Sequence, residues 1–250
     1  MQWPGLVPGP PFMPRFRIWR CDSGRRWRCW VVRAALLFVA VSVVPVLLLG
    51  WVPPPTSAVM VQRALEESAR QEYRWVPMER IAPVAALAVV AGEDQTFPTH
   101  SGFDLASIET AIREGREGGR LRGASTISQQ VAKNLFLWEG RSWLRKGLEA
   151  WFTALIEAFW SKKRILEIYL NIAEVGDRAF GIEVASQRFF RRSADRLTAV
   201  QAATVAAALP NPRRFRVDAP DDYLLRRRQW ILRQMEQLGG TAYLDGILGR

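Results

Sequence analysis

Metal-binding and redox side chains are scarce in this sequence: 250 residues hold one histidine, His100, and two cysteines, Cys21 and Cys29. No further ligands stand near the cysteine pair, which argues against a zinc module, where four side chains must converge. The chain after Cys29 has no cysteine, so it folds without a disulfide in any compartment. Gly123-Ala124-Ser125-Thr126-Ile127 lacks the closing glycine of a nucleophile elbow, and the glycines before it lack the Gly-Lys-Ser/Thr of a phosphate-binding loop. No run of alternating strands and no internal repeat is present. Acids are in the minority, 24 against 35 Lys and Arg, which leaves a formal net charge of +11. That balance suits a polyanionic partner: nucleic acid, an anionic membrane surface or a phosphate-bearing substrate.

The position of the charge narrows the choice. Residues 1–33 carry seven arginines against one acid, Asp22, so more than half of the net charge lies in a Pro-, Arg- and Trp-rich tail. Residues 34–52 follow without a single charge, long enough as a helix to cross roughly 28 Å of hydrocarbon. Trp30 and Trp51 stand where interfacial aromatics belong. Arginines before the span and none just after it predict a cytoplasmic N-terminus and an exported remainder. A cleaved signal would have a shorter apolar core, and Thr56-Ser57-Ala58 is a weak cleavage site, so a retained anchor is expected. An exported domain meets no nucleic acid. The expected layout is a cytoplasmic tail (1–33), a transmembrane anchor (34–52), a membrane-proximal linker and helix (53–74) and a catalytic domain (75–250).

The exported part reads as mainly α. Helices are expected at 58–73, 81–92, 143–171, 197–209 and 223–238. In the third, Leu148, Phe152, Leu155, Ile156 and Phe159 mark one buried face. Pro210-Asn211-Pro212 stops the fourth and Gly239-Gly240 caps the fifth.

Three stretches hold candidate chemistry. Residues 93–104 place Glu93, Asp94, Asp104 and His100 beside glycine and proline turns. Partial burial there would raise a carboxyl into the range of a useful base, but spacing alone equally fits a solvated helix end with His100 capping a turn. Residues 123–137 open like an N-capped helix, with Gln129 and Lys133 on one face, and spacing does not exclude an ordinary capped helix. In 141–149, Arg145 and Glu149 are i, i+4 neighbours amid cations, as an ion pair or an anion site would require. Residues 162–171 continue a basic face that is, taken alone, simply solvated.

Taken together and in order, four segments resemble the peptidoglycan glycosyltransferase family. They are Glu-Asp-x-x-Phe-x-x-His-x-Gly-Phe-Asp at 93–104, Gly-x-Ser-Thr-Ile-x-Gln-Gln-x-x-Lys-Asn-Leu-Phe-Leu at 123–137, Arg-Lys-x-x-Glu at 145–149 and Lys-x-x-Ile-Leu-Glu-x-Tyr-Leu-Asn at 162–171. The monofunctional branch is the closer match, because no room is left for a transpeptidase domain. The resemblance implies a lysozyme-like, two-lobed helical domain behind one transmembrane helix. Its substrates would be lipid II and a glycan chain on undecaprenyl pyrophosphate. By motif position, Glu93 is the general base. Glu149 is the second essential carboxylate, holding a divalent cation (Mg or Mn) or the basic residues around the pyrophosphate.

Lys133 and Arg141 take the places of donor-phosphate ligands. Gln129, Gln130, Ser125, Thr126 and Lys162 line the cleft, with Asn134 and Arg145 beside them, and His100 and Asp94 shape the loop. Residues 105–122 read as a lid. Phe136, Leu137, Trp138, Trp143, Trp151 and Phe152 form either an interfacial patch or core. A bacterial inner membrane location, and other cell-wall synthesis proteins as partners, follow from the same resemblance. A wall-degrading muramidase on the same fold, or a non-catalytic membrane scaffold, are the rival readings.

Overall fold

A computed structural model describes residues 26–104 and 125–249; the tail before residue 26 and the lid expected at 105–122 lie outside them. The described residues fall into two units, one up to Ser42 and one from Val43 onward.

Helix α1 (Arg26–Leu49) is apolar along most of its length. Its stretch Trp27–Leu49 is long and apolar enough to cross a membrane, and only 11% of its most apolar window is buried within the protein. In the first unit Val31, Leu36 and Leu37 are exposed, as side chains destined for lipid would be. The helix ends three residues before the span expected from the sequence. Pro53 disfavours helical backbone at Val52, and the last turn breaks at Gly50.

Within the second unit the end of α1 is capped by side chains. Trp160 Nε1 donates to Val46 O at 2.7 Å, and Arg164 donates to Leu49 O at 2.8 Å and to Val52 O at 2.7 Å. Carbonyls at a helix C-terminus lack intrahelical donors and carry partial negative charge, so a guanidinium is a fitting cap.

After α1 come α2 (Ala58–Glu67), capped by Ser57, and strand β1 (Glu72–Tyr73). Next are α3 (Pro83–Glu93), α4 (Ile127–Phe136), α5 (Trp143–Phe159) and α6 (Lys162–Ile172). Strands β2 (Glu174–Gly176) and β3 (Ala179–Phe180) precede α7 (Ile182–Phe190), α8 (Ala199–Ala208), α9 (Asp222–Gln237) and a last turn, α10 (Asp245–Leu248). The strands form a small sheet in the order β1-β3-β2, with β3 parallel to β1 and antiparallel to β2. Two- and three-residue strands have no periodicity, which is why the sequence showed none.

The mainly α expectation holds, with two divisions moved. The helix expected over 58–73 stops at Glu67, where Ser68 turns to a left-handed φ, and Glu72–Tyr73 is strand β1. The helix expected over 143–171 is two helices, because Ser161 turns the chain and accepts from Arg164 N at 3.2 Å as the N-cap of α6. Phe159, assigned to the buried face, is 52% exposed at this break.

The core is centred on α3, where every residue from Ala85 to Ala91 is buried. It packs on α8, buried from Ala202 to Ala208, and α9 packs against both. Alanine and glycine keep these axes close, and a methyl at Gly92 would meet Ile231 Cδ1 at 3.3 Å. The C-terminal end of α3 is thus fixed from two sides. Glu93 is its last residue.

Candidate active site

Glu93 stands at the negative end of the α3 dipole, 13% exposed, where a carboxylate is disfavoured twice over. Its Oε2 accepts from Gln130 Nε2 at 3.1 Å, and Gln130 Oε1 accepts in turn from Tyr169 Oη at 3.1 Å. Its Oε1 has no hydrogen bond among the described residues; Arg227 Nη2 lies 3.5 Å away. Burial pushes the Glu93 carboxyl above its ordinary value and the neighbouring Asp94 charge adds to this, while Gln130 and Arg227 oppose them. Tyr169, fully buried beside both acids, is pushed well above the ordinary phenol value, first by burial, and stays a neutral donor.

Asp94 is a structural staple. Its Oδ2 accepts from Ile127 N at 2.9 Å, binding the first turn of α4 to the loop after α3. His100 Nε2 lies 2.9 Å from the same oxygen, and His100 Nδ1 accepts from Gly102 N at 3.0 Å. An acceptor at Nδ1 makes Nε2 the protonated nitrogen, donating to Asp94. The loop then docks on α5: Gly102, at φ +88°, brings its backbone so close that a methyl would lie 2.9 Å from Thr153 Cγ2 and Glu157 Cγ. Thr126 closes the arrangement, donating from Oγ1 to Gly102 O at 2.7 Å.

Helix α4 carries the site away from Glu93. Thr126 and Gln129 form a capping box, so Gln129, expected along the cleft, is buried and spends its amide oxygen on Thr126 N at 3.0 Å. Thr126 is buried by the same cap; Ser125, just before it, is exposed. Gln130, Lys133 and Asn134 share the next face, where i, i+3 and i, i+4 side chains stand about 5–6 Å apart. Lys133 and Asn134 therefore lie one turn beyond the carboxylate. Both are half-buried, and among the described residues the Lys133 ammonium has no ion pair. Arg141 is exposed in the connection to α5.

Glu149, 5% exposed, sits on α5 with both oxygens taken: Arg145 Nη1 donates to Oε2 at 2.8 Å and Lys146 Nζ donates to Oε1. Lys162 turns inward, bonded to Glu157 at 2.8 Å with its ammonium 4.7 Å from the Phe97 ring centroid, instead of lining the cleft as expected. Glu157 also accepts from Ser128 Oγ.

Comparison with known proteins decides what this arrangement belongs to. The family model described as transglycosylase matches residues 60–236. A biosynthetic peptidoglycan transglycosylase of Xanthomonas euvesicatoria is 49% identical over 250 residues, covering 98% of this chain and 97% of the relative. Proteins of the same name from Cronobacter sakazakii and Pseudomonas syringae are each 52% identical, covering 88% and 87% of this chain and 93% and 94% of the relatives. The chain belongs to the transglycosylase family.

Transglycosylase domains are lysozyme-like, and the helical build around α3 agrees with that fold. The four motifs account for Glu93, Gln130, Lys133 and Glu149, but not for Arg227 on α9. A signal for it was present: Arg227 falls three residues after Leu224 and four before Ile231, on the buried stripe of a basic helix. An arginine in such a stripe needs a partner. Glu157, which gathers Ser128 and Lys162 behind the loop, was also passed over.

The divalent cation expected at Glu149 finds no matching donor set. Among the described residues no three His, Cys, Asp or Glu side chains converge, and Glu149 is ringed by cations instead of further carboxylates. This geometry fits ion pairing.

Proposed function

We propose that this transglycosylase polymerises peptidoglycan glycan strands, taking lipid II as acceptor and a growing chain on undecaprenyl pyrophosphate as donor. The observation that carries the reading is the buried, under-bonded Glu93 carboxylate at the root of the α4 face that bears Lys133. Glu93 takes the proton of the acceptor GlcNAc 4-hydroxyl. That oxygen attacks the donor's anomeric carbon, the carbon–oxygen bond to pyrophosphate breaks, and the leaving group keeps the electron pair. Attack opposite the leaving group turns an α linkage into a β-1,4 bond. Pyrophosphate is already a good leaving group, so the site needs cations more than a strong acid. Lys133 and Arg141 supply them, with Asn134 beside Lys133. Arg145 and Lys146 form a second cationic element ordered by Glu149.

Substrates held in a bilayer explain α1 as a retained inner-membrane anchor, and the arginine-rich tail keeps the N-terminus cytoplasmic with the catalytic domain periplasmic. Trp143, 89% exposed, and Leu144, 70% exposed, then meet the interface, whereas Leu137 is buried and Phe136 stacks on Phe152 within the fold.

Full-length protein in detergent with lipid II should yield long glycan and leave purified sacculi intact. Solubilised sacculi without polymer would instead support a muramidase, and neither product would support a scaffold.

A further inference from the structure

Arg227 reaches the site from a helix more than 130 residues along the chain from Glu93. Its Nη2 donates to Gly92 O at 3.2 Å and lies 3.5 Å from Glu93 Oε1, while its guanidinium carbon is 5.7 Å from the Trp230 ring centroid. One planar group therefore spans the end of α3 and the side chain of its last residue. Gly92 lets this happen, because the missing methyl allows Ile231 and the rest of α9 to close on α3. Of the three consecutive arginines 226–228, Arg227 is the one paired with the acid.

We infer that Arg227 is a positioning residue for the transfer reaction, holding the Glu93 carboxylate in place and in its charged form from the side that Gln130 does not reach. This rests on the reading of Glu93 as the base. Among the described residues no other cation pairs with Glu93, and Lys133 lies one turn further along α4. Gln130 on α4 is neutral, Tyr169 on α6 is a buried phenol, Asp94 repels and is itself occupied by His100, and α8 brings no titratable side chain. Tyr243, from the 3-10 turn Gly240–Leu244, donates to Gln95 O. Without Arg227, burial and Asp94 act on Glu93 opposed, among the described residues, by the Gln130 amide. The loose 3.5 Å contact also suits a base that must take up a proton, where a tight bidentate pair would hold the carboxylate ionised.

The test is a pH profile of lipid II polymerisation by the full chain, comparing wild type with Arg227→Gln, Arg227→Lys and Glu93→Gln. Arg227→Gln should lower kcat/KM about tenfold on the acid limb and recover to within a few-fold of wild type in alkali, its acid limb displaced upward. Arg227→Lys should keep the wild-type limb, because it keeps the charge, but lose a few-fold in plateau kcat, because one ammonium cannot serve both Gly92 O and Glu93. A uniform loss in Arg227→Gln at every pH, with the limb unmoved, would reduce Arg227 to a cap on α3 and overturn the inference. If the Gln variant melts too low to assay, wild-type limb and plateau in the Lys variant would overturn it equally. Full activity in Glu93→Gln would remove the base reading itself, a failure separable from the other because it appears in a different variant.

Discussion

Glu93, 13% exposed, and Glu149, 5% exposed, both hold their carboxylates largely away from water, and they are satisfied in opposite ways. Glu149 gives each oxygen to a cation from its own helix, three and four residues back. Glu93 has one amide hydrogen bond, one cation at 3.5 Å and an oxygen without a hydrogen bond among the described residues. A saturated carboxylate is a poor base, since its lone pairs are spent. An under-bonded one in a dry site binds a proton readily when a substrate hydroxyl arrives. The difference teaches that burial alone does not make a catalytic acid or base; unmet hydrogen-bonding capacity does.

Replacing the under-bonded member has the largest expected effect. Glu93→Gln should cut polymerisation by about 10²–10⁴ while the protein still folds, as read by product gels and thermal melting. The wild-type pH profile carries the sign. Burial raises the Glu93 carboxyl, and a base works only when deprotonated. Activity should therefore fall as pH drops through a midpoint above the ordinary carboxylate range and reach its plateau on the alkaline side. A profile flat down to the ordinary range would break the comparison.

Glu149→Gln should act in the opposite proportion. It strands Arg145, only 12% exposed, without its counter-charge, so stability should drop by about 2–3 kcal/mol. Activity at a temperature where the variant is folded should fall less than in Glu93→Gln, because the cations remain but lose their order. An equal or greater activity loss with unchanged melting would make Glu149 a direct participant.

The two acids are joined mechanically by Gly102. Its loop begins just past Glu93, and its α-carbon packs on Thr153, whose hydroxyl donates to Glu149 O at 2.7 Å. Gly102→Ala would need both a left-handed φ and a contact of 2.9 Å, so a loss of about 2 kcal/mol is expected. Polymerisation should suffer as well, since Thr126 and the first turn of α4 hang on the same backbone.

Much of this was legible in sequence because the chemistry is local. Glu93, Asp94 and His100 lie within eight residues, the Thr126–Gln129 cap within four, and Arg145 with Glu149 within one helical turn. What stayed hidden came from packing. Gln129 and Lys162 match motif positions, yet one serves the backbone and the other turns to Glu157 and Phe97, choices that only the packed loop imposes. Arg227 is invisible to any local pattern except its place on an apolar stripe, and the break at Trp160–Ser161 hides inside a continuous helical periodicity.

The smallest expected effect sharpens the comparison at its saturated end. Arg145 and Lys146 both bond Glu149, but the Lys146 side chain is 46% exposed against 12% for Arg145. Water competes for the ammonium and salt screens it, so an exposed pair of this kind contributes only about 0.5 kcal/mol. Lys146→Met should therefore move the melting temperature by about 1–2 °C, with less effect at high salt. Arg145→Met should cost several times more, because it leaves Glu149 buried with only its exposed partner. If the two variants melt alike, the buried guanidinium is not what saturates Glu149, and the contrast with Glu93 loses its physical basis.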